Sequence, residues 1–354
     1  MAESLPVDAR QFVFKGNAKE WFGIWIVNLL LSIVTLGIYS AWAKVRTKKY
    51  FYNNTFADDR NFDYHATGKQ ILIGRLIVIG AVILFQIIVS LAPVVGLLLV
   101  LAMLVGFPWL LVRSFAFNAR MTSFSNVRFG FTGGVGKAFL VFLLYPFLTA
   151  LTLYTTFPIL DRAMKRYSIN NHKLGGASFN IEIGLTPFYK ALGVAILWIV
   201  VVGVGGALIT GFSFLEFSAA LENMALAPEQ ALPTIIMFYV LFFAAFLPAM
   251  FIYQAMTRNA VYNHTSLEGG HRLASNVTPQ KLLWIALSNM VVVICTLGLM
   301  LPWAQVRMTR YLADHTGFIP GSSLDEFVSQ QQAAGHAIGD AFTDLESIDV
   351  GLPI

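Results

Sequence analysis

Apolar residues fall into seven runs, Trp21 to Trp42, Gln70 to Ala92, Pro93 to Val112, Ala138 to Leu160, Thr186 to Phe212, Leu232 to Tyr253 and Leu282 to Trp303, separated by Gly, Pro or charged clusters. About 20 helical residues cross a hydrocarbon core of ~30 Å, so each run predicts a helix that crosses or enters a bilayer. A second pattern lies between the runs. Aromatic and polar residues alternate in Phe12-Val13-Phe14-Lys15-Gly16, Phe62-Asp63-Tyr64, Phe129-Gly130-Phe131-Thr132-Gly133 and Phe179-Asn180-Ile181, and that alternation predicts short strands.

The runs are copies of one another. Thr35-Leu36-Gly37-Ile38-Tyr39-Ser40-Ala41-Trp42-Ala43-Lys44-Val45-Arg46-Thr47-Lys48-Lys49-Tyr50 returns 261 positions on as Thr296 to Tyr311, and a weaker copy, Thr152-Leu153 through Arg166-Tyr167, lies 117 positions after the first. The strand segments recur at the same shift of 117, so a unit reads strand, apolar segment a, basic motif, strand, apolar segments b and c. The chain then reads a-b-c, a-b-c, a: unit 1 over residues 1–128, unit 2 over 129–272, a partial third unit over 273–316, and an acidic polar tail over 317–354. The predicted fold class is an all-α polytopic membrane bundle with short β elements on its basic face.

Charge and length disagree about how the a segments run. Residues 76–112 carry no charge, and residues 191–257 carry Glu216, Glu222 and Glu229 but no Lys or Arg, so each stretch makes a helix pair whose tip faces away from the basic side. Every other inter-segment region is basic: Lys44 to Lys69, Arg113 to Lys137, Arg162 to Lys190, Arg258 to Lys281, and Arg307 to Arg310. The positive-inside rule puts all of them in the cytoplasm. That holds only if the a segments re-enter, broken near Gly37, Pro146 or Gly298, which leaves four spans. Their length of about 22 residues favours ordinary crossing, and tips the expectation to seven spans with inverted units.

Composition excludes an ordinary soluble domain: 57% of the 354 residues are hydrophobic and 12% charged, against roughly 25% charged in globular proteins. The polar first twenty residues hold Asp8, Arg10, Lys15 and Lys19 and predict no cleaved signal peptide. The single cysteine, Cys295, sits in an apolar run and reads as a small buried hydrophobe. A net charge of +5 comes from basic residues flanking the apolar runs, so the expected partners are anionic membrane lipids and not nucleic acid. The tail carries Asp325, Glu326, Asp340, Asp344, Glu346 and Asp349 without Lys or Arg. It reads as a solvated end, or as an amphipathic helix docking Ile338, Phe342, Leu345 and Ile348 on the basic loops.

Two residue sets are candidates for chemistry. Arg-x-x-x-aromatic pairs recur as Arg46/Tyr50, Arg120/Phe124, Arg258/Tyr262 and Arg307/Tyr311, with Arg166 and Tyr167 in the middle copy. Side chains at i and i+4 share a helix face, and arginine binds phosphate bidentately while a ring sits at headgroup depth, so these are ordinary interfacial anchors or headgroup and anion contacts. The second set lies inside the apolar runs: Asn28, Tyr145 and Asn289 at matching positions, then Thr35, Thr152 and Thr296 two turns later, plus Arg75. They make interhelical hydrogen bonds or line a polar central cavity, and Arg75 is near enough to Lys69 to snorkel. The histidines show no metal-ligand spacing, and no Walker sequence, nucleophile elbow or paired intramembrane carboxylates occur. No cofactor or metal is predicted, and catalysis is disfavoured.

The stretch from Phe12-Val13-Phe14-Lys15-Gly16 through Asn28-Leu29-Leu30-Leu31, Thr35-Leu36-Gly37-Ile38-Tyr39, Trp42-Ala43-Lys44-Val45-Arg46 and Tyr50-Phe51 to Phe62-Asp63-Tyr64, with Thr296 to Tyr311 and the tail ending Asp349-Val350-Gly351, resembles the YjgN family of bacterial inner-membrane proteins. The resemblance runs the whole length and implies a multi-pass protein of the bacterial cytoplasmic membrane, in a family without an established activity or catalytic residues to carry over. The middle copy departs from the motif, with Pro158-Ile159 in place of Ala-Trp or Pro-Trp and Ala163 in place of arginine. The functional expectation is a small-solute transporter or channel-like protein; the alternative is a non-catalytic lipid-binding or membrane-organising protein. A polar cavity at mid-membrane favours the first, and a solid apolar centre tells against it.

Overall fold

Ten short strands punctuate the helices of the computed structural model, which describes residues 5–333. In chain order they are β1 (Arg10–Phe14), β2 (Thr55–Ala57), β3 (Arg60–Tyr64), β4 (Thr122–Phe124), β5 (Val127–Phe131), β6 (His172–Leu174), β7 (Ala177–Ile181), β8 (Thr265–Leu267), β9 (His271–Ser275) and β10 (Thr316–Ile319). Tight turns pair β2 with β3 through β8 with β9. Asp58 and Asp59 (φ 52° and 56°) and Ser125 and Asn126 (φ 49° and 64°) adopt the left-handed conformation that two-residue hairpin turns need to match strand twist. The last pair is made by the chain's two ends, with Arg10 opposite Phe318 and Gln11 opposite Gly317. Every pairing is antiparallel, and the ten strands close into a barrel.

The expected all-α bundle with short β elements is therefore corrected: the β part is a complete barrel. Its strands hold only three to five residues, too few for a period-two pattern to stand out, and its seam joins Arg10 to Phe318, which no local pattern encodes.

Five helical hairpins link the strands. Helices α1 (Ala18–Val34) and α2 (Ser40–Asn53) form the first, α3 (Gly68–Leu91) and α4 (Pro93–Arg120) the second, and α5 (Val135–Leu151) and α6 (Phe157–Asn170) the third. The fourth runs out along α7 (Thr186–Thr210), turns through α8 (Phe214–Asn223) and returns on α9 (Pro228–Asn263). The fifth is α10 (Pro279–Cys295) with α11 (Leu301–Asp314). The helices pack on their neighbours in chain order except that α7 and α8 both pack on α9, and α11 packs on α1, so the helices form a ring over the strands. At the seam Trp21 stacks on Tyr50 with centroids 5.0 Å apart, and its Nε1–H donates to Gln305 Oε1 at 2.7 Å.

The repeated Thr-Leu-Gly is the turn of the short hairpins. Thr35 caps α1: its hydroxyl donates to Leu31 O at 2.7 Å and accepts the Tyr39 N–H at 2.9 Å, and Thr296 makes the same two bonds with Val292 and Met300. Leu36 and Gly37, Leu153 and Tyr154, and Leu297 and Gly298 all hold positive φ. Gly37 N–H reaches back to Ser32 O at 2.7 Å and Gly298 N–H to Val293 O at 2.8 Å, the six-to-one bond of a glycine-terminated helix. The chain reverses there.

Each of these hairpins runs 17 residues out and 14 back, about 25 Å and 21 Å at helical rise and short of a ~30 Å core. Among the described residues four helices are long and apolar enough to cross a membrane: α3, α4, α7 and α9. The run-length argument for seven spans counted straight through a turn. Because both ends of every hairpin are barrel strands, all five leave and return on one face of the barrel. That arrangement puts the basic inter-segment regions on one side without inverted units, as the positive-inside rule expects.

Candidate functional site

Alternate residues of a strand share a face, and the barrel uses this to build two apolar tiers. The middle positions of the five-residue strands are Phe12, Phe62, Phe129, Phe179 and Leu273, and the third positions of the short strands are Ala57, Phe124, Leu174, Leu267 and Phe318; all ten pack in one cluster. Phe62 and Phe129 stack at 6.4 Å and 14°, and Phe129 and Phe179 at 6.3 Å and 14°, so the rings tile the wall. The far mouth is closed by the chain itself. A helix over residues 324–333, α12, inserts Leu324, Phe327 and Val328 among the tiers. A cavity of about 70 Å³ persists between plug and wall, lined by the phenylalanines and leucines of the tiers together with His271 and Arg272.

The plug is tied to the hairpin turns. Gln331 Oε1 accepts the Gly176 and Ala177 N–H groups at 2.8 and 3.2 Å, Gln332 Nε2 donates to Ser125 O at 2.9 Å, and Asp325 pairs with Arg60. Gly321 passes so close to the β8–β9 turn that a Cβ there would lie 2.4 Å from the Gly270 carbonyl carbon. Its N–H donates to His271 Nδ1 at 3.1 Å. The His271 ring is fully buried, stacked on Phe318 and edge-on to Phe327, with Nε2 unpartnered among the described residues.

Burial lowers the His271 pKa below its ordinary 6.5. Of the charged groups on the elements around it, Asp325 pairs with Arg60, the Glu268 carboxylate accepts the Ser178 N–H, Glu326 is exposed, and Arg272 follows it in the strand. A depressed histidine is neutral when folded, so its contribution is complete above 6.5 and is lost as pH falls through 6.5 and on through the lowered folded value. Hydrogen-exchange protection of residues 324–333 should therefore decline from pH 7 to pH 5. In His271→Gln, which accepts the same N–H without titrating, it should stay flat.

A second feature lies between α1 and α2, where the short hairpin meets the barrel. Glu20, Arg46, Lys49, Asn53 and Asn54, with the apolar Gly23, Ile24 and Val27, line an open groove of about 590 Å³. Tyr50 forms the back. Its hydroxyl accepts the Asn17 N–H at 2.9 Å, fixing the return helix to the cap of the outgoing one.

The other sequence candidates scatter through the ring. Tyr167 Oη donates to Gly134 O at 3.1 Å and Tyr311 Oη accepts the Thr278 N–H at 3.0 Å, so Tyr50, Tyr167 and Tyr311, though not the half-buried Tyr262, are buried pins at hairpin roots. Arg46 lies over the Tyr39 ring, Arg258 lies over Tyr262 and donates to Thr316, Arg120 faces Ala116 O at 3.4 Å, and Arg166 is exposed. Phe124 belongs to the barrel wall.

Of the polar set, Thr35, Thr152 and Thr296 stand at the tips of three separate hairpins, each bonded within its own turn. Asn289 accepts from Arg307 at 3.0 Å and donates to Ala304 O, Arg75 donates to Ser40, and Tyr145 is half-buried on α5. The Asn28 amide is buried with no hydrogen-bond partner among the described residues. Sequence reasoning did not single out His271, Lys49 or the 324–333 helix. The recurring Phe-x-Phe strands were the visible signal for the lumen. The proposed amphipathic helix around Ile338 to Ile348 lies outside the described residues.

The family model "Bacterial protein of unknown function (DUF898)" matches residues 9–345. "Inner membrane protein YjgN" of Salmonella typhimurium is 27% identical over 354 residues, covering 86% of this chain and 87% of that one. The protein of the same name from Escherichia coli O157:H7 is 29% identical over 154 residues, 43% of this chain and 39% of that one. No solved structure matches.

Proposed function

The chain belongs to this family of bacterial proteins of unknown function, and from that premise we propose that it is a non-catalytic lipid-binding protein of the inner membrane. The α1–α2 groove carries the reading: Arg46 and Lys49 line an open cleft together with the apolar Gly23, Ile24 and Val27. A phospholipid phosphate fits between two cations at headgroup depth, with an acyl chain running along these apolar residues. Glu20 in the same groove disfavours a second anion, so the groove suits a single phosphodiester.

The transporter reading draws less support. A hydrated solute needs polar groups to replace its water shell, whereas the barrel on the axis of the ring presents phenylalanines and an apolar cavity.

The test is lipid content after detergent purification. Arg46→Gln with Lys49→Gln should retain anionic phospholipid at several-fold lower stoichiometry, since each charge near the surface contributes about 1 kcal/mol. Unchanged lipid content in the double variant would overturn the reading. Uptake of a small polar solute by proteoliposomes would favour transport instead.

A further inference from the structure

We propose that the barrel lumen is a binding site for a single saturated hydrocarbon chain, and that helix α12 is its built-in occupant. Three observations converge on the lumen. Its two tiers present only apolar side chains at ten positions, contributed by all ten strands. The plug meets them with just Leu324, Phe327 and Val328 and leaves about 70 Å³ unfilled, although protein interiors close most voids larger than a water molecule. The ties that hold the plug lie at the rim, in side-chain bonds to hairpin turns and an ion pair whose Asp325 side chain is 85% exposed. The exposed ion pair contributes little, while the Gln332 bond and the Gly321 bond to His271 are part-buried.

The shape and chemistry of the space select the ligand class. The cavity lining is apolar at every position but His271 and Arg272, so a sugar or peptide would lose most of its hydrogen bonds without replacement. A cavity of about 150 Å³ accommodates benzene, so one of about 70 Å³ beside the plug admits a slender chain end and not a ring. When α12 withdraws, Leu324, Phe327 and Val328 vacate the lumen and the chain advances into the space they leave. Each methylene buried should raise affinity about fourfold. Supply comes from the bilayer, because all five hairpins project from one face of the barrel and hold its near mouth against the membrane. The lumen is distinct from the α1–α2 groove, which sits on the outgoing and returning helices of one hairpin.

The test uses the full chain in liposomes, with Cys295→Ser to remove its exposed thiol and diazirine-bearing palmitate as the probe. Ser125→Cys with Gln332→Cys, bridged by a short reducible bis-methanethiosulfonate reagent that replaces the reach of the Gln332 side chain to the Ser125 carbonyl, locks the plug when bridged, and reduction frees it in one and the same protein. Photolabelling of peptides containing Phe129, Phe179 and Leu273 should be at least fivefold higher reduced than bridged. Leu324→Asp with Phe327→Asp should raise it further. Equal labelling in the bridged and reduced states, or barrel peptides unlabelled in the reduced protein, would overturn the proposal. Labelling of α1 and α2 peptides reports the groove separately, so failure of either site leaves the other readable.

Discussion

Phe124→Asp is expected to leave no folded protein in the membrane fraction, while Phe124→Leu folds with a loss of about 1 kcal/mol. Phe124 is 7% exposed, packs on Phe62 with centroids 4.8 Å apart, and stands in the tier that the plug closes. Removing its ring alone costs roughly 3–5 kcal/mol, and an aspartate would add the desolvation of a buried carboxylate. Against a total stability of about 5–15 kcal/mol, that sum removes the fold. The measurement is accumulation and monodispersity after detergent extraction. A well-folded Phe124→Asp would mean the lumen is wet.

Removing residues 1–14 should be nearly as damaging, although it touches no helix. Among the described residues strand β1 alone joins β2 to β10, and its loss exposes two strand edges and frees the α1–α11 seam where Trp21 meets Gln305. Exposed edges invite pairing between molecules, so the truncated chain should be recovered as large oligomers sensitive to limited proteolysis. Val13→Thr, at an outward position 45% exposed, should behave as the parent. A monomeric, protease-resistant truncation would show that closure is dispensable.

The sequence showed where the elements lie better than how they join. The apolar runs, the strand fragments and the repeat were legible because each is local: Thr35-Leu36-Gly37 returns as Thr296-Leu297-Gly298 for a reason now visible, a hydroxyl cap and a positive-φ turn. That same motif misled on length. Counting Trp21 to Trp42 as one helix ignored the reversal at Gly37, whereas the uniform basic charge between runs had already pointed to re-entry. Closure was illegible because the β1–β10 seam depends on positions 10 and 318 meeting. The tyrosines of the Arg-aromatic motif looked interfacial, and only packing reveals that Tyr50, Tyr167 and Tyr311 turn inward to hold hairpin roots. His271 carried no spacing signal, since its partners Gly321, Phe318 and Phe327 come from segments that fold over it.

The central claim is that every helical hairpin leaves and re-enters on the barrel's one face, and single cysteines in a Cys295→Ser background test it most directly. Asp59, whose side chain is 98% exposed in the turn after the first short hairpin, and Lys173, on the strand after the second short hairpin, are the informative pair. Substituted one at a time by cysteine, both should react with a membrane-impermeant maleimide in inverted vesicles and neither in intact spheroplasts. Labelling of Asp59→Cys and Lys173→Cys from opposite faces would mean that the α5–α6 segment crosses the membrane, and would contradict the account.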